Sequence, residues 1–273
     1  MNSGRLYIVS TPIGNLEDIT LRALATLKEV DFIAAEDTRH SLKLLNYYNI
    51  SKPLISYWSE KEKIRAEQII ERLKAGQSCA LISDAGTPGI SDPGAVLIRM
   101  AIEEGISLIP VPGASALIAA LSISGLSAQE FIFLGFLPSK PSERQKKLKE
   151  LAFETRTIIF YEAPHRIIET LSDILHILGD RKAAVVKEIT KLHEDISRGK
   201  ISEILDVLNN MKIAGEFVIV LSGGEARNIS IDEALCEVRL IMKKGLGRKE
   251  AVKMIAEQYG LSKKELYDRS LEQ

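Results

Sequence analysis

The chain has 273 residues, 45% hydrophobic and 27% charged, and its 36 basic and 37 acidic side chains leave a formal charge of −1. That length supports one large or two medium domains around a full apolar core, and it excludes a small disulfide-stapled scaffold. Near-neutral charge excludes a uniformly basic nucleic-acid binder, so a polyanionic partner has to be argued from local charge.

The first half alternates strand and helix. Leu6–Val9 reads as a buried strand, Leu21–Lys28 as a short helix and Phe32–Ala35 as a second strand. Arg39–Tyr47 reads as helix, Leu54–Ser56 as a short strand, and Glu62–Ala75 as a helix stopped by Gly76. Cys79–Ile82 is the next strand, Ala95–Glu103 a helix, Ser107–Ile109 a strand and Ala114–Leu121 a helix. Continuous apolar strands separated by helices imply a parallel sheet covered on both faces. The pattern breaks at Ser124-Gly125-Leu126-Ser127.

Strands then follow at Phe131–Phe136, Thr157–Tyr161, Ala183–Lys187, Asp195–Arg198 and Glu216–Leu221. Helices between them run to about Ala152, over His165–Leu178 and over Ile201–Met211. The close spacing of two of these strands implies antiparallel pairs in a mixed sheet. From Ser230 the chain reads as helix only, over Ile231–Lys243, Arg248–Gln258 and Ser262–Ser270. Tight turns at Gly247 and Gly260 fit a helix-turn-helix-like tail. Its centre is basic: Arg239, Lys243, Lys244, Arg248, Lys249, Lys253, Lys263 and Lys264 face only Glu250 and Glu257. The expected division is therefore an α/β domain over 1–122, a second over 123–228 and a helical tail over 229–273.

Cys79 and Cys236 are far apart and the four histidines are scattered, so no metal site is expected and a reducing cytosol is the simple reading. The N-terminal apolar run is too short for a signal segment, and no stretch approaches the ~20 apolar residues of a membrane helix. A cytoplasmic protein with no membrane partner is expected.

Three strand-end loops concentrate special residues: Ser10-Thr11-Pro12-Ile13-Gly14-Asn15, Ser83 to Gly94, and Val111-Pro112-Gly113-Ala114-Ser115-Ala116. Ligands in open α/β sheets bind past the carboxyl ends of strands, so three such loops on one edge suggest one site. Asp84 and Asp92 offer acceptors there, although an acidic cap for a helix beginning at Pro93 would use the same residues. There is no Gly-x-Gly-x-x-Gly after the first strand and no Gly-Lys-Ser/Thr, which argues against nicotinamide enzymes, ATPases and Rossmann-type methyltransferases. In Glu36-Asp37-Thr38-Arg39, Thr38 can cap a helix or Arg39 can grip a phosphate. Pro164 opens a helix turn that carries His165 and Arg166, where an anion is welcome. Lys187 to Glu194 is either a charged hairpin surface or the source of a lysine base.

Taken together, these segments resemble the tetrapyrrole methylase superfamily, and within it the ribosomal RNA branch. The likeness rests on Ser10–Leu16, Ala35–Arg39, Ser83–Gly94, Val111–Ala116, Tyr161–Arg166 and Lys187–Glu194, and spans about Leu6 to Gly223. The precorrin branch has Gly-Asp-Pro where this chain has Ser83-Asp84-Ala85, and a Gly-rich turn in place of Ser10-Thr11-Pro12. Those departures point away from a porphyrin-like substrate.

The resemblance implies two α/β domains of the tetrapyrrole methylase type, with S-adenosylmethionine folded into the cleft between them. It implies that Pro12, Asp84, Gly86, Thr87, Ser115, Ala116 and Tyr161 line the donor pocket. A homodimer and 2′-O-methylation of a cytidine in small-subunit ribosomal RNA are implied as well. On this reading Arg39, His165, Lys187 and Lys191 are the catalytic candidates. Arg39, Arg166, Lys140, Arg144, Arg248 and Lys249 are the RNA contacts. The rivals are a small-molecule or protein methyltransferase of the tetrapyrrole or diphthamide type, and an RNA-binding protein without catalysis.

Overall fold

The computed structural model describes residues 4–58, 62–224, 230–243 and 245–271. Lys244, the side chains of Lys243 and Glu257, and the expected 228/229 division lie outside the described residues.

The first sheet is built from β1 (Arg5–Val9), β2 (Phe32–Ala35), β3 (Leu54–Ser56), β4 (Cys79–Ile82) and β5 (Ser107–Val111), in the order β3-β2-β4-β1-β5. All its pairings are parallel. β2 and β4 are buried along their whole length, which is why they read as unbroken apolar runs. Alternate side chains point to opposite layers. Val9, Ile33, Ala80 and Ile82 pack on α1 (Leu21–Glu29) and α2 (Thr38–Tyr47). Leu6, Phe32, Ala34 and Leu81 pack on α3 (Glu62–Lys74) and α4 (Ala95–Glu103). The neighbours β1 and β4 thus send their following helices to opposite faces. That is a topological switch point, where a crevice opens beyond the strand ends.

Helix starts correct two expectations. Asp37, not Thr38, caps α2, its side chain accepting the Arg39 amide at 2.8 Å. No aspartate caps α4: Gly94 holds that position, and Glu62 Oε1 accepts its amide at 2.9 Å.

The second sheet comprises β6 (Phe131–Phe136), β7 (Thr157–Glu162), β8 (Lys182–Lys187), β9 (Asp195–Lys200) and β10 (Phe217–Leu221), ordered β6-β7-β10-β8-β9. β6 and β7 run parallel; β10 runs antiparallel to both β7 and β8, as β9 does to β8. One face packs on α6 (Pro141–Glu150), α7 (Ile167–Leu178) and α8 (Ile201–Asn209) through Ile158, Phe160, Val185 and Ile219.

The opposite face receives α5 (Ala116–Ser124), whose Leu117, Ala120 and Leu121 meet Ile159, Val186, Val218 and Val220. α5 runs on to Ser124 and ends on left-handed Gly125, so 122/123 falls inside a helix and the connection to β6 begins at Gly125. By packing, α5 belongs to the second sheet although its sequence follows the first.

The tail forms α9 (Ile231–Lys243), α10 (Arg248–Tyr259) and α11 (Lys263–Leu271). They enclose their own core of Leu235, Val238, Val252, Ile255 and Leu266, and Tyr259 meets Phe153 edge to face at 6.5 Å. Among the described residues no helix is long and apolar enough to cross a membrane.

Candidate active site

The crevice at the β1/β4 switch is closed by direct bonds between its loops. Thr11 and Gly86 exchange backbone hydrogen bonds of 2.8 and 3.1 Å, and Thr11 Oγ1 donates to the Ser83 carbonyl at 3.1 Å. Ser10 Oγ lies 2.8 Å from Thr87 Oγ1. Gly113 approaches so closely that a Cβ there would sit 2.9 Å from Ser10 Cβ. Gly86, at φ +75°, is the meeting point: a Cβ on it would touch Ile13 at 3.6 Å and the Ala114 carbonyl oxygen at 4.0 Å. The three loops expected to converge do so.

The second sheet closes the other side and leaves a cavity of about 560 Å³. Gly86, Thr87, Ser115, Ala116 and Tyr161 line it, joined by Ile13, Asp92, Phe136, Glu162, Ile189, Glu216 and Phe217. Five of the seven residues expected to hold the donor therefore stand on the cavity wall. Pro12 is buried and does not line the wall. Asp84 turns away: it accepts the Asp37 amide at 3.1 Å, while its own amide donates to Glu36 at 3.4 Å. The carboxylate facing the cavity from this loop is Asp92 instead. Burial pushes the Asp92 carboxyl up from its ordinary value, against a lowering hydrogen bond from Ser83, and nearby Asp84 adds to the rise. Glu36 is likewise raised, first by burial, then by Asp92, Asp84 and Asp37. The Tyr161 hydroxyl is raised by burial and by Asp92, against a hydrogen bond from the Leu117 backbone.

Phe136 stands 56% exposed at the cavity edge, its ring 5.7 Å from Tyr161, which in turn packs on Phe133 at 4.8 Å. Phe136 and Glu216 carry no motif, and Ile189 lies in the Lys187–Glu194 segment without being singled out. Phe136 ends β6, and Glu216 precedes β10. Because Phe217 pairs with Glu162 and with Lys187, the start of β10 shares an edge with the ends of β7 and β8. Reading only past the carboxyl ends of strands overlooks such a residue.

The basic candidates separate into two groups. Arg166 is internal: its Nε donates to Glu162 Oε1 at 2.8 Å and its Nη1 to the Leu137 carbonyl at 3.3 Å. Glu162, fully buried, also accepts the Thr170 hydroxyl at 2.6 Å. Arg144 is buried between α6 and α7, bonded to Asp173 at 2.7 Å and to Glu169 at 3.5 Å. Neither guanidinium is presented to a phosphate, because both are buried and already held by carboxylates. Arg39 remains exposed on the surface, bonded to Asp37 at 3.0 Å, and this pairing holds the Asp37 carboxyl at about 2. Lys140 is exposed beside Glu143 at 3.3 Å; His165 and Lys249 are exposed, and Arg248 is half-buried.

Lys191 bonds Glu188 at 2.8 Å and Glu216 at 3.0 Å. Desolvation works against its charge, but these two carboxylates outweigh it and hold the ammonium above its ordinary range. A base needs the opposite shift, so in this arrangement Lys191 is a fixed cation, not a proton acceptor. Lys187 ends β8, half-buried. The turn between them is strained: Glu188 has φ +49° and the β-branched Thr190 φ +66°. The Thr190 hydroxyl is buried without a hydrogen-bond partner, and a Cβ at Gly14 would overlap Lys191. Gly14 thus lets the second-sheet turn lie directly over the first-sheet loop. An open depression of about 630 Å³ adjoins this contact and shares Ile13 and Ser115 with the cavity. Among the described residues, no cluster of three or more His, Cys, Asp or Glu side chains could hold a metal ion.

The family model of Tetrapyrrole (Corrin/Porphyrin) Methylases matches residues 5–205. A Synechocystis sp. protein named Ribosomal RNA small subunit methyltransferase I is 47% identical, covering 98% of this chain and 98% of its own length. The Thermotoga maritima protein of the same name is 50% identical, covering 81% of this chain and 100% of its own. Among solved structures, a diphthine synthase superposes with a TM-score of 0.61 at 14% identity, covering 80% of this chain and 90% of its own. Uroporphyrin-III C-methyl transferase from Thermus thermophilus, complexed with S-adenyl homocysteine, gives 0.57 at 20% identity, covering 80% and 97%. Those two likenesses concern the fold, and they agree with the paired α/β sheets described above. With its model match over most of the length and relatives this similar end to end, the chain belongs to the tetrapyrrole methylase family and is a methyltransferase of the branch that these named relatives define.

Proposed function

We propose that this enzyme uses S-adenosylmethionine to methylate small-subunit ribosomal RNA, at the 2′-hydroxyl of a cytidine. The observation that carries the reading is the cavity between the two sheets, in a chain whose full-length relatives are named for that RNA. The residues fit such a donor. Ile13, Leu117 and Val218 offer apolar wall, Thr87 and Ser115 offer hydroxyls, and no basic side chain lines the cavity among the described residues. The fold neighbour complexed with S-adenyl homocysteine supports the same donor class.

When bound, the donor supplies an electrophilic methyl group. The chain's own task is to hold an acceptor oxygen in line with it and to exclude misaligned approaches. The adjoining depression, which shares Ile13 and Ser115 with the cavity, suits the approach of the acceptor. A ribose hydroxyl is a poor nucleophile at neutral pH, so a base is needed. Lys187 keeps that role in this reading, while Lys191 serves as a fixed cation. Exposed Arg39, His165, Lys140 and Lys249, with half-buried Arg248, are offered to the phosphate backbone. The reading includes a cytoplasmic homodimer; the two unpaired cysteines fit a reducing compartment.

The test is methyl transfer from labelled S-adenosylmethionine to small subunits and to free ribosomal RNA, followed by nucleoside mass mapping. A single 2′-O-methylcytidine is expected. Label on a tetrapyrrole or a protein, with none on RNA, would establish the rival reading.

A further inference from the structure

Three carboxylates line the cavity: Asp92, Glu162 and Glu216. Two have a basic partner: Glu162 is paired with Arg166, and Glu216 shares Lys191 with Glu188. Among the described residues no basic side chain acts on Asp92; its charged neighbours there are Asp84 and Glu36, both of its own sign. It stands across the cleft from Tyr161, close enough to act on that hydroxyl electrostatically. Among the described residues, the Asp92 wall of the cavity therefore carries negative charge that no basic side chain balances. A half-buried charge of this kind favours a ligand bearing the opposite sign.

We propose that Asp92 is the counter-charge to the donor's sulfonium, and that it makes the cavity distinguish charged donor from spent donor; this rests on the donor reading above. Transfer forms an oxygen–carbon bond on the acceptor, breaks the carbon–sulfur bond and leaves that electron pair on sulfur as a neutral thioether. The hydroxyl proton goes to the base or to water. Positive charge at sulfur disappears in the step, so the attraction to Asp92 is lost when the product forms. Affinity then falls for the thioether alone, and release is built into the wall of the site.

Binding, not turnover, tests this. Calorimetry would compare S-adenosylmethionine, S-adenosylhomocysteine and sinefungin, which carries an ammonium-bearing carbon in place of sulfur. In Asp92→Asn, the two cationic ligands should weaken about tenfold while the thioether stays within about twofold, as expected for loss of one half-buried ion pair. Asp92→Ser is a second charge-free variant and should give the same pattern; Asp92→Glu should keep the wild-type ratio. Equal weakening of all three ligands, or an unchanged ratio in Asp92→Asn, would overturn the proposal and leave the donor reading standing. A wild-type protein that binds none of the three would overturn both.

Discussion

The two sheets supply one cavity by different means. In the first sheet every strand runs the same way, so all contributions arrive on loops past strand ends: Ile13, Thr87, Asp92 and Ser115. In the second, β10 runs against its neighbours, so one edge carries the exits of β6 and β7 together with the entry to β10. Its contributions are Phe136, Glu162 and Glu216, close to or inside regular strands. The first wall is a set of loops tied by hydrogen bonds; the second is a rim fixed by ion pairs to the domain core.

That contrast predicts that damage to the rim costs stability and damage to the loops costs binding. The largest effect should follow Arg166→Ala, which strands the fully buried Glu162 carboxylate. A loss of about 3–5 kcal/mol is expected in denaturant unfolding. Arg144→Ala should cost less, because both of its partners reach solvent, Asp173 at 16% and Glu169 at 66% exposed. If the two variants lose the same amount, the rim has no special rigidity.

Next comes Gly14→Val, which puts a side chain where Lys191 lies, at a positive φ. Donor affinity should fall about tenfold, equivalent to about 1.4 kcal/mol, with the sheets intact by circular dichroism. Full donor affinity in that variant would show that the loop contact is incidental.

Smallest is Lys191→Met, at about 1 kcal/mol near neutral pH. Two shifts set its pH window. Glu188 is lowered, chiefly by its hydrogen bond from Lys191, so its contribution exists above the ordinary 4.5 and fades as pH falls through the depressed value. Lys191 is raised, so its contribution exists below the ordinary 10.5 and fades as pH climbs through the elevated value. The stability gap between wild type and variant should thus be widest between those limits and close at both ends. A gap independent of pH would point to packing alone.

Much of this architecture is legible in the sequence. Phe32–Ala35 and Cys79–Ile82 announce themselves as buried strands because both faces are covered, and the three loops share an edge because their strands are parallel. What is not legible depends on backbone rotation and distant partners. Gly86, Gly89 and Ser91 all adopt positive φ, and these turns decide that Asp92 faces the cavity while Asp84 faces Asp37. Basic residues on α6 and ahead of α7 look alike in sequence. Only the fold brings Asp173 to Arg144, 29 residues away, and only the turn after β7 folds Arg166 back onto Glu162, four residues before it. The cap of α2 falls on Asp37, one residue before Thr38, and sequence alone does not choose between two good caps.

The tail's private core has an evolutionary corollary. A bundle that keeps itself folded through Leu235, Val252, Ile255 and Leu266, and leans on the body at Phe153, behaves as a detachable cartridge. Its outer face can be rewritten, or the whole piece exchanged, without reshaping the crevice where chemistry occurs. Bundle and crevice rest on separate cores, so selection can tune one while leaving the other alone.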